Sequence, residues 1–237
     1  MSSSNKTFHL LSGHGGSPLD TGAVGNGYKE YERVRTFTKH LATHIRALGS
    51  RCLVMNNAQD PFRETKAGRG MRVIPKDRTV IEVHLNSFKD ASANGTETWI
   101  HSTRNANKVD TAIHNVLKKY FRDRGIKKSN NLTLTMNVAK DRGIDYRLVE
   151  LCFISNANDM KVLNANMDRI AKEMAEALTG VSYSSITNKY TIHTVLKGET
   201  LSAIAKKHST TVNAILKLNP SIKNANLIKV NQKIRVK

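Results

Sequence analysis

The stretch FHLLSGHGGSPLDTGAVGNGYKE, Phe8 to Glu30, begins with a short apolar run that stops at Ser12-Gly13-His14-Gly15-Gly16. An apolar run of this length, bounded by turn residues, reads as a buried strand. A glycine-rich loop follows, and Glu30 stands at the head of a long helical pattern. A strand that delivers a histidine into a loop, with a carboxylate opening the next helix, has the form of part of a metal site.

Working outward, strands and helices alternate. Val34, Phe37, Leu41, Ile45 and Leu48 recur at helical spacing over Tyr31 to Leu48, and Gly49 stops that helix. Arg51 to Met55 reads as a strand, Gln59 to Asp77 mostly as loop, and Thr79 to Asn86 as a β-branched strand ending in His84-Leu85-Asn86. Gly95 to His101 reads as a strand, Asn105 to Arg124 as an amphipathic helix, and Leu132 to Met136 as a short strand. Arg147 to Phe153 is a further strand, and Ala165 to Leu178 a closing helix ended by Gly180. Alternation of this kind predicts an α/β layer fold with an open, mostly parallel sheet flanked by helices. In such sheets ligands gather at the carboxyl ends of the strands. His14, His84 and Glu150 all lie late in a predicted strand or just after one.

The chain has 237 residues, enough for one α/β domain and a small module. The expected division is a first domain over 1–180, a polar, serine-containing linker over 181–189, and a second domain over 190–237. In the second, His193 to Lys197 and Lys233 to Val236 read as strands around two helices, a βααβ order. Lys and Arg number 38 against 19 Asp and Glu, a net charge of +19. Such a field speeds association with any polyanion, nucleic acid or anionic bacterial wall polymer alike. A nucleic-acid partner would rest on charge alone, because no recognisable binding module accompanies it. Cys52 and Cys152 each sit in apolar runs and read as small buried hydrophobes, not as a disulfide or zinc framework. No apolar run reaches signal-peptide or membrane-spanning length, so the expectation is synthesis in the cytoplasm without a signal peptide and no membrane span.

A catalytic zinc takes three protein ligands, commonly histidines with a carboxylate, and keeps a fourth position for water. His14, Glu30 and His84 fit that inventory, with Glu32 as the rival carboxylate. Zinc lowers the pKa of water to about 7 and polarises a carbonyl, and the chemistry then needs a nearby base. Glu150, a carboxylate inside Leu148-Val149-Glu150-Leu151, suits that task, since an ionised group in an interior strand asks for an explanation. Each residue alone also has a plain structural reading. His40 and His44, at i and i+4 on one helix, lack the glutamate of an HExxH pair and read as solvated histidines. GAVGNG has the wrong spacing for a dinucleotide fingerprint. Lys118, Lys119, Arg122, Arg124, Lys127 and Lys128 read as a solvated helix end.

GHGG at Gly13 to Gly16, GAVGNGYKE at Gly22 to Glu30, VHLNS at Val83 to Ser87, GTE at Gly95 to Glu97 and VELCFISNAND at Val149 to Asp159 occur in this order. Together they resemble the zinc-dependent N-acetylmuramoyl-L-alanine amidases of the amidase-3 type. The resemblance implies a Zn²⁺ cofactor held by His14, Glu30 and His84, with Glu150 as catalytic general acid/base. It implies cleavage of the amide between N-acetylmuramic acid and the L-alanine of the peptidoglycan stem. The Asp-Pro usual before GHGG is replaced by Leu11-Ser12, and the family's arginine-and-asparagine helix is not evident between Pro61 and Arg78.

The last stretch, HTVLKGETLSAIAKKH, then VNAILKLNP and a closing KIRV, resembles a LysM domain. That implies binding of N-acetylglucosamine-containing glycan through two loops, Gly198, Glu199, Thr200 and Leu201 in one and Pro220, Ser221 and Ile222 in the other. Glu199 stands where that family more often has Asp, and a slightly weaker helix cap is expected there. Both modules point to peptidoglycan as partner and to an endolysin or an autolysin reaching the wall after lysis. A zinc peptidase or deacetylase, and a catalytically inactive wall-binding protein, are the competing readings.

Overall fold

The computed structural model describes residues 7–16, 20–56, 59–187 and 191–236. The chain divides into two compact units, Met1–Gly180 and Val181–Lys237. In the first unit β1 (Thr7–Ser12) leads to a small hairpin of β2 (Val24–Gly25) and β3 (Tyr28–Lys29), then α1 (Glu30–Ala47) and β4 (Arg51–Val54). Next come α2 (Pro61–Lys66), a 3₁₀ turn at Gly70–Arg72, β5 (Arg78–Asn86), β6 (Thr96–His101) and α3 (Lys108–Leu117). The unit closes with β7 (Asp123–Ser129), α4 (Leu134–Asp141), β8 (Asp145–Phe153) and α5 (Ala157–Thr179).

The six-stranded sheet runs β4-β1-β5-β8-β6-β7. β4, β1, β5 and β8 are parallel, β6 lies antiparallel on β8, and β7 runs parallel to β6. The expected mostly parallel α/β architecture is therefore present. Its inner strands are buried on both faces, which is why Leu10, Leu11, Val80, Ile81, Val83, Val149 and Leu151 form near-continuous apolar runs. α1 packs on β1, β5 and α5, and α5 packs on α3. On another cluster Met71 of the 3₁₀ turn and Val138 and Ala139 of α4 meet Leu11, Val80, Tyr146 and Leu148. His84 is paired with Glu150 across β5 and β8, and Glu97 of β6 faces Glu150 from the other side. The antiparallel β6 thus brings its first residues to the edge where the parallel strands end.

Several sequence expectations are corrected. Leu132 to Met136 is not a strand: Thr133 accepts from the Thr135 amide and opens α4. The helix expected over Asn105 to Arg124 stops at Leu117, and the basic segment after it becomes β7. Arg124 and Lys127 are accordingly no solvated helix end; both donate to the buried carboxylate of Glu97, at 2.5 and 2.8 Å. α2 and the 3₁₀ turn occupy part of the expected loop 59–77. α5 starts at Ala157, eight residues before the helix read from periodicity, because Asn156 caps it through the Asp159 amide. Asn26-Gly27, with φ of 50° and 79°, closes the β2–β3 hairpin inside what read as plain loop. Both cysteines are buried and free.

The second unit contains α6 (Tyr183–Thr187), β9 (Ile192–Thr194), α7 (Leu201–Lys207), α8 (Val212–Leu218) and β10 (Lys233–Arg235). α6 falls within the segment read as linker, whose residues 188 and 189, with residue 190, lie outside the described ones. β9 and β10 pair antiparallel, and Val195, Leu201, Ile204, Ile215, Ile222 and Ile234 form the core, as the βααβ pattern predicts.

Arg147 and Asp110 form a fully buried ion pair. Arg147 of β8 donates from Nε to Asp110 at 2.8 Å, and Arg104 reaches the same carboxylate at 2.5 Å. Burial alone would raise the Asp110 pKa, but the hydrogen bond from Arg104 and the charge of Arg147 hold it below its ordinary 3.8. A depressed carboxylate adds stability above its unfolded pKa and loses it as pH falls through the folded value. Asp110→Ala should deprive the buried Arg147 of one of its two carboxylates, Asp145 being the other, and destabilise the protein by about 3 kcal/mol in denaturant unfolding at pH 7. The difference from wild type should shrink below about pH 4, where the unfolded carboxyl takes up its proton; a pH-independent difference would contradict the ion-pair account.

Candidate metal centre

Ser12 ends β1, and the chain turns at once into Gly13 and His14. His14 adopts a left-handed backbone, φ 69°, uncommon for a residue with a Cβ. Glu30 is the first residue of α1, where the helix N-terminus favours a carboxylate. His84 lies near the end of β5. His14, Glu30 and His84 bring one ligand atom each within 4.8 Å of one another.

Glu30 is the hub of this group. Its Oε2 stands 3.2 Å from His14 Nε2, and its Oε1 stands 3.0 Å from His84 Nδ1. The amides of Ala23 and Leu85 donate to the same two oxygens, each at 2.9 Å. Burial would raise the Glu30 pKa, but the hydrogen bonds from both imidazoles push it far below the carboxylate range. Burial would likewise lower both imidazoles, and their hydrogen bonds to Glu30 raise them instead. Glu32 is exposed and accepts from the Tyr31 hydroxyl, so the geometry puts Glu30 and not Glu32 beside the histidines.

Each imidazole is held at its far nitrogen by a carboxylate, the usual arrangement around metal-ligating histidines. His14 Nδ1 lies 2.9 Å from Asp20, and His84 Nε2 lies 3.0 Å from Glu82, which in turn accepts from the Tyr146 hydroxyl at 2.7 Å. Sequence reasoning named none of Asp20, Glu82 and Tyr146. Glu82 was open to it, since residues i and i+2 of a strand share a face. The glycines at positions 13 and 22 sit against the donor side chains. A Cβ on Gly13 would lie 2.2 Å from His84 Cε1, and one on Gly22 would lie 2.5 Å from His14 Cδ2 and 2.7 Å from Glu30 Oε2. They let the backbone close around the donors.

Glu150 opens on the same cavity as His14 and His84, about 720 Å³ in volume, with Phe62 and Leu132 on its walls. Its Oε2 is buried and has no hydrogen-bond partner among the described residues. Burial pushes the Glu150 pKa up to about 7, with nearby His84 opposing and the charges of Glu30 and Glu97 adding to the rise. Glu97 differs: despite burial, Lys127 and Arg124 hold it below the usual carboxylate range. Two imidazoles and a carboxylate, with an unpaired carboxylate facing their cavity, fit a divalent metal of zinc type with an adjacent base.

The other candidates lie apart from this site. His40 and His44 both reach Asp168, at 2.7 and 2.9 Å, and His44 is half-buried, not a solvated side chain. In the second unit Leu201 and Ile222 are core residues, while Gly198, Thr200, Pro220 and Ser221 are exposed. Thr200, not Glu199, caps α7 through the Ala203 amide. Glu199 instead accepts from the Leu196 amide and stands 2.6 Å from His193 Nε2, so its length costs the helix no cap.

Residues 9–180 match the family described as N-acetylmuramoyl-L-alanine amidase, and residues 193–237 match the LysM domain. A probable autolysin, PH, of Staphylococcus aureus is 33% identical over 190 residues, covering 74% of this chain and 38% of that protein. The endolysin of Bacillus phage PZA is 42% identical over 89 residues, covering 34% of this chain and 33% of its own. The chain therefore spans about a third of the length of the curated relatives it matches. Among solved structures, the catalytic domain of the CD27L endolysin targeting Clostridia difficile superposes with a TM-score of 0.61 at 22% identity, covering 75% of this chain and 98% of that one. That likeness concerns the fold.

Because a Cβ at position 13 has no room beside His84, Gly13→Ala should displace that ring. Zinc affinity, measured by competition with a chromophoric chelator, should fall about 10-fold or more. Unchanged affinity would show that the glycine is not needed for the close approach.

Proposed function

Because the chain belongs to the N-acetylmuramoyl-L-alanine amidase family, we propose that it hydrolyses the amide joining N-acetylmuramic acid to the L-alanine of the peptidoglycan stem. His14, Glu30 and His84 hold a zinc ion in this reading, and Glu150 is the general acid/base. The observation that carries it is the buried, unpartnered Oε2 of Glu150 on the cavity shared with His14 and His84. A buried carboxylate without a partner is unfavourable for stability, and such groups recur where function requires them.

Bound zinc would supply Lewis acidity toward the amide carbonyl and a lowered pKa for water. The protein's own part is proton movement and alignment. Glu150, poised near neutrality by burial, accepts a proton from the attacking water and returns it to the departing alanine nitrogen as the carbon–nitrogen bond breaks. Asp20 and Glu82 keep the two imidazoles turned toward Glu30. Arg124 and Lys127 neutralise Glu97, so that a second negative charge next to Glu150 is compensated.

Residues 1–180 form the catalytic domain, 181–189 the linker and 190–237 the LysM domain of this proposal. The loops at Gly198 to Leu201 and Pro220 to Ile222 would contact wall glycan through their exposed members and backbone, with Leu201 and Ile222 fixing the loops from the core. The net charge of +19 supports a second attraction, to anionic wall polymers. Tethering at the wall raises the effective concentration of the catalytic domain there. No helix among the described residues is long and apolar enough to cross a membrane. Action at the bacterial wall is the setting this reading requires.

Glu150→Gln should keep zinc and fold while release of stem peptide from muropeptide drops about 10²–10⁴-fold. Near-normal release by that variant would sink the assignment. A base must be ionised to work, so wild-type kcat/KM should decline on an acid limb, which burial of Glu150 moves up from the ordinary carboxylate range. Bound zinc, as a positive charge, would move that limb downward. The limb should be absent from the residual activity of Glu150→Gln; a limb identical in both proteins would assign the titration elsewhere.

A further inference from the structure

Among the charged and polar residues around the cavity of His14, His84 and Glu150, four apolar ones also line it: Pro61, Phe62, Leu132 and Leu148. Pro61 and Leu148 are buried, whereas Phe62 is 46% and Leu132 38% exposed. A single exposed apolar side chain needs no explanation. Two on one concave site, beside a buried carboxylate oxygen without a partner, mark a surface that a ligand covers.

Both exposed side chains are carried at the starts of capped helices. Asp60 caps α2 by accepting from the Arg63 amide at 2.7 Å, and Pro61 opens the helix, so Phe62 falls in its first turn. Thr133 caps α4 through the Thr135 amide, and Leu132 immediately precedes that cap. α2 and α4 pack on each other, and Leu134 of α4 packs against the core cluster that contains Leu148.

Leu148 relates this apolar surface to the chemistry. It stands two residues before Glu150 on β8, so the two side chains share a face of the sheet, and both line the cavity. In the reading above, Glu150 returns a proton to the departing nitrogen. The carbon bonded to that nitrogen is the Cα of the first stem residue, and its side chain is the methyl group of L-alanine. The group nearest the atom that Glu150 protonates is thus apolar, and the neighbour of Glu150 along its own strand face is a leucine.

We propose that Phe62 and Leu132, together with Leu148, form the pocket that takes this methyl group and so select alanine at the first stem position. The proposal rests on the amidase reading of the site and names the part of the substrate that these side chains recognise.

The test compares, on the full chain, two N-acetylmuramoyl peptides, one beginning with L-alanine and its counterpart beginning with glycine. Wild type should favour the alanine substrate about 10-fold or more in kcat/KM, the discrimination that one methyl group supports in an apolar pocket. In Phe62→Ala and in Leu132→Ala that ratio should fall to about threefold or less, because the alanine substrate slows more than the glycine one. Both side chains are more than a third exposed, so fold and zinc affinity should stay near wild type in these variants. An unchanged ratio in both variants, with or without a loss common to the two substrates, overturns the proposal, as does a wild-type chain indifferent to the methyl group. Binding separates this outcome from failure of the amidase reading: by calorimetry, zinc-loaded Glu150→Gln should prefer the alanine peptide over the glycine one. Preference in binding with cleavage of neither peptide by wild type overturns the amidase reading alone, and cleavage of both without preference overturns the pocket alone.

Discussion

The buried carboxylate of Glu30 is the constraint around which the larger unit is arranged. It is 3% exposed, and each of its oxygens takes one backbone amide and faces one imidazole. Satisfying a carboxylate this completely requires four chain segments to converge. The loop after β1 brings His14, the loop before the β2–β3 hairpin brings Ala23, β5 brings His84 and Leu85, and α1 brings Glu30 itself. Buried charge without such partners would be strongly unfavourable. Gly13 and Gly22 follow from the same demand, since side chains at either position would occupy the donors' space.

Charge is distributed unevenly in this protein. Its surplus of positive side chains lies largely outside the cavity, while Asp20, Asp60, Glu82 and Glu150 line it. The glutamates in and around the cavity are distinguished by their neighbours. Glu30 has two imidazoles, Glu82 has a tyrosine and an imidazole, and Glu97 has an arginine and a lysine. Glu150 alone among these four has a buried oxygen with no partner. Glu30 and Glu97 are thus held below the usual carboxylate range while Glu150 is raised, each by what lies beside it.

The placement of His14, His84 and Glu150 could be read from the chain because strand ends converge in an α/β sheet, and strand periodicity is local. Glu30 against Glu32 could not, because two helix positions two apart differ only in which side of α1 they occupy, and packing decides that. The basic run into β7 hid a strand, since Asp123 to Ser129 has no apolar alternation and is stabilised by ions: Arg124 and Lys127 on Glu97. Leu132 to Met136 misled in the opposite sense. Its leucines and threonines have strand propensity, yet the Thr133 cap and packing against Tyr146 and Leu148 make it the start of α4. The contacts of Asp20 with His14 and of Tyr146 with Glu82 follow from no spacing rule, whereas Glu82 and His84 share a face of β5.

The strand order has a consequence for how the molecule comes into being. β8 is the last strand of its sheet to leave the ribosome, yet it lies between β5 and β6, in the middle. Until residues 145–153 exist, β5 has an open edge and β6 and β7 have no sheet to join, so closure waits for long-range pairing. That same segment carries Glu150. On the proposed reading, the carboxylate assigned as general acid/base therefore joins His14, Glu30 and His84 only once the strand that fills the middle of the sheet is in place.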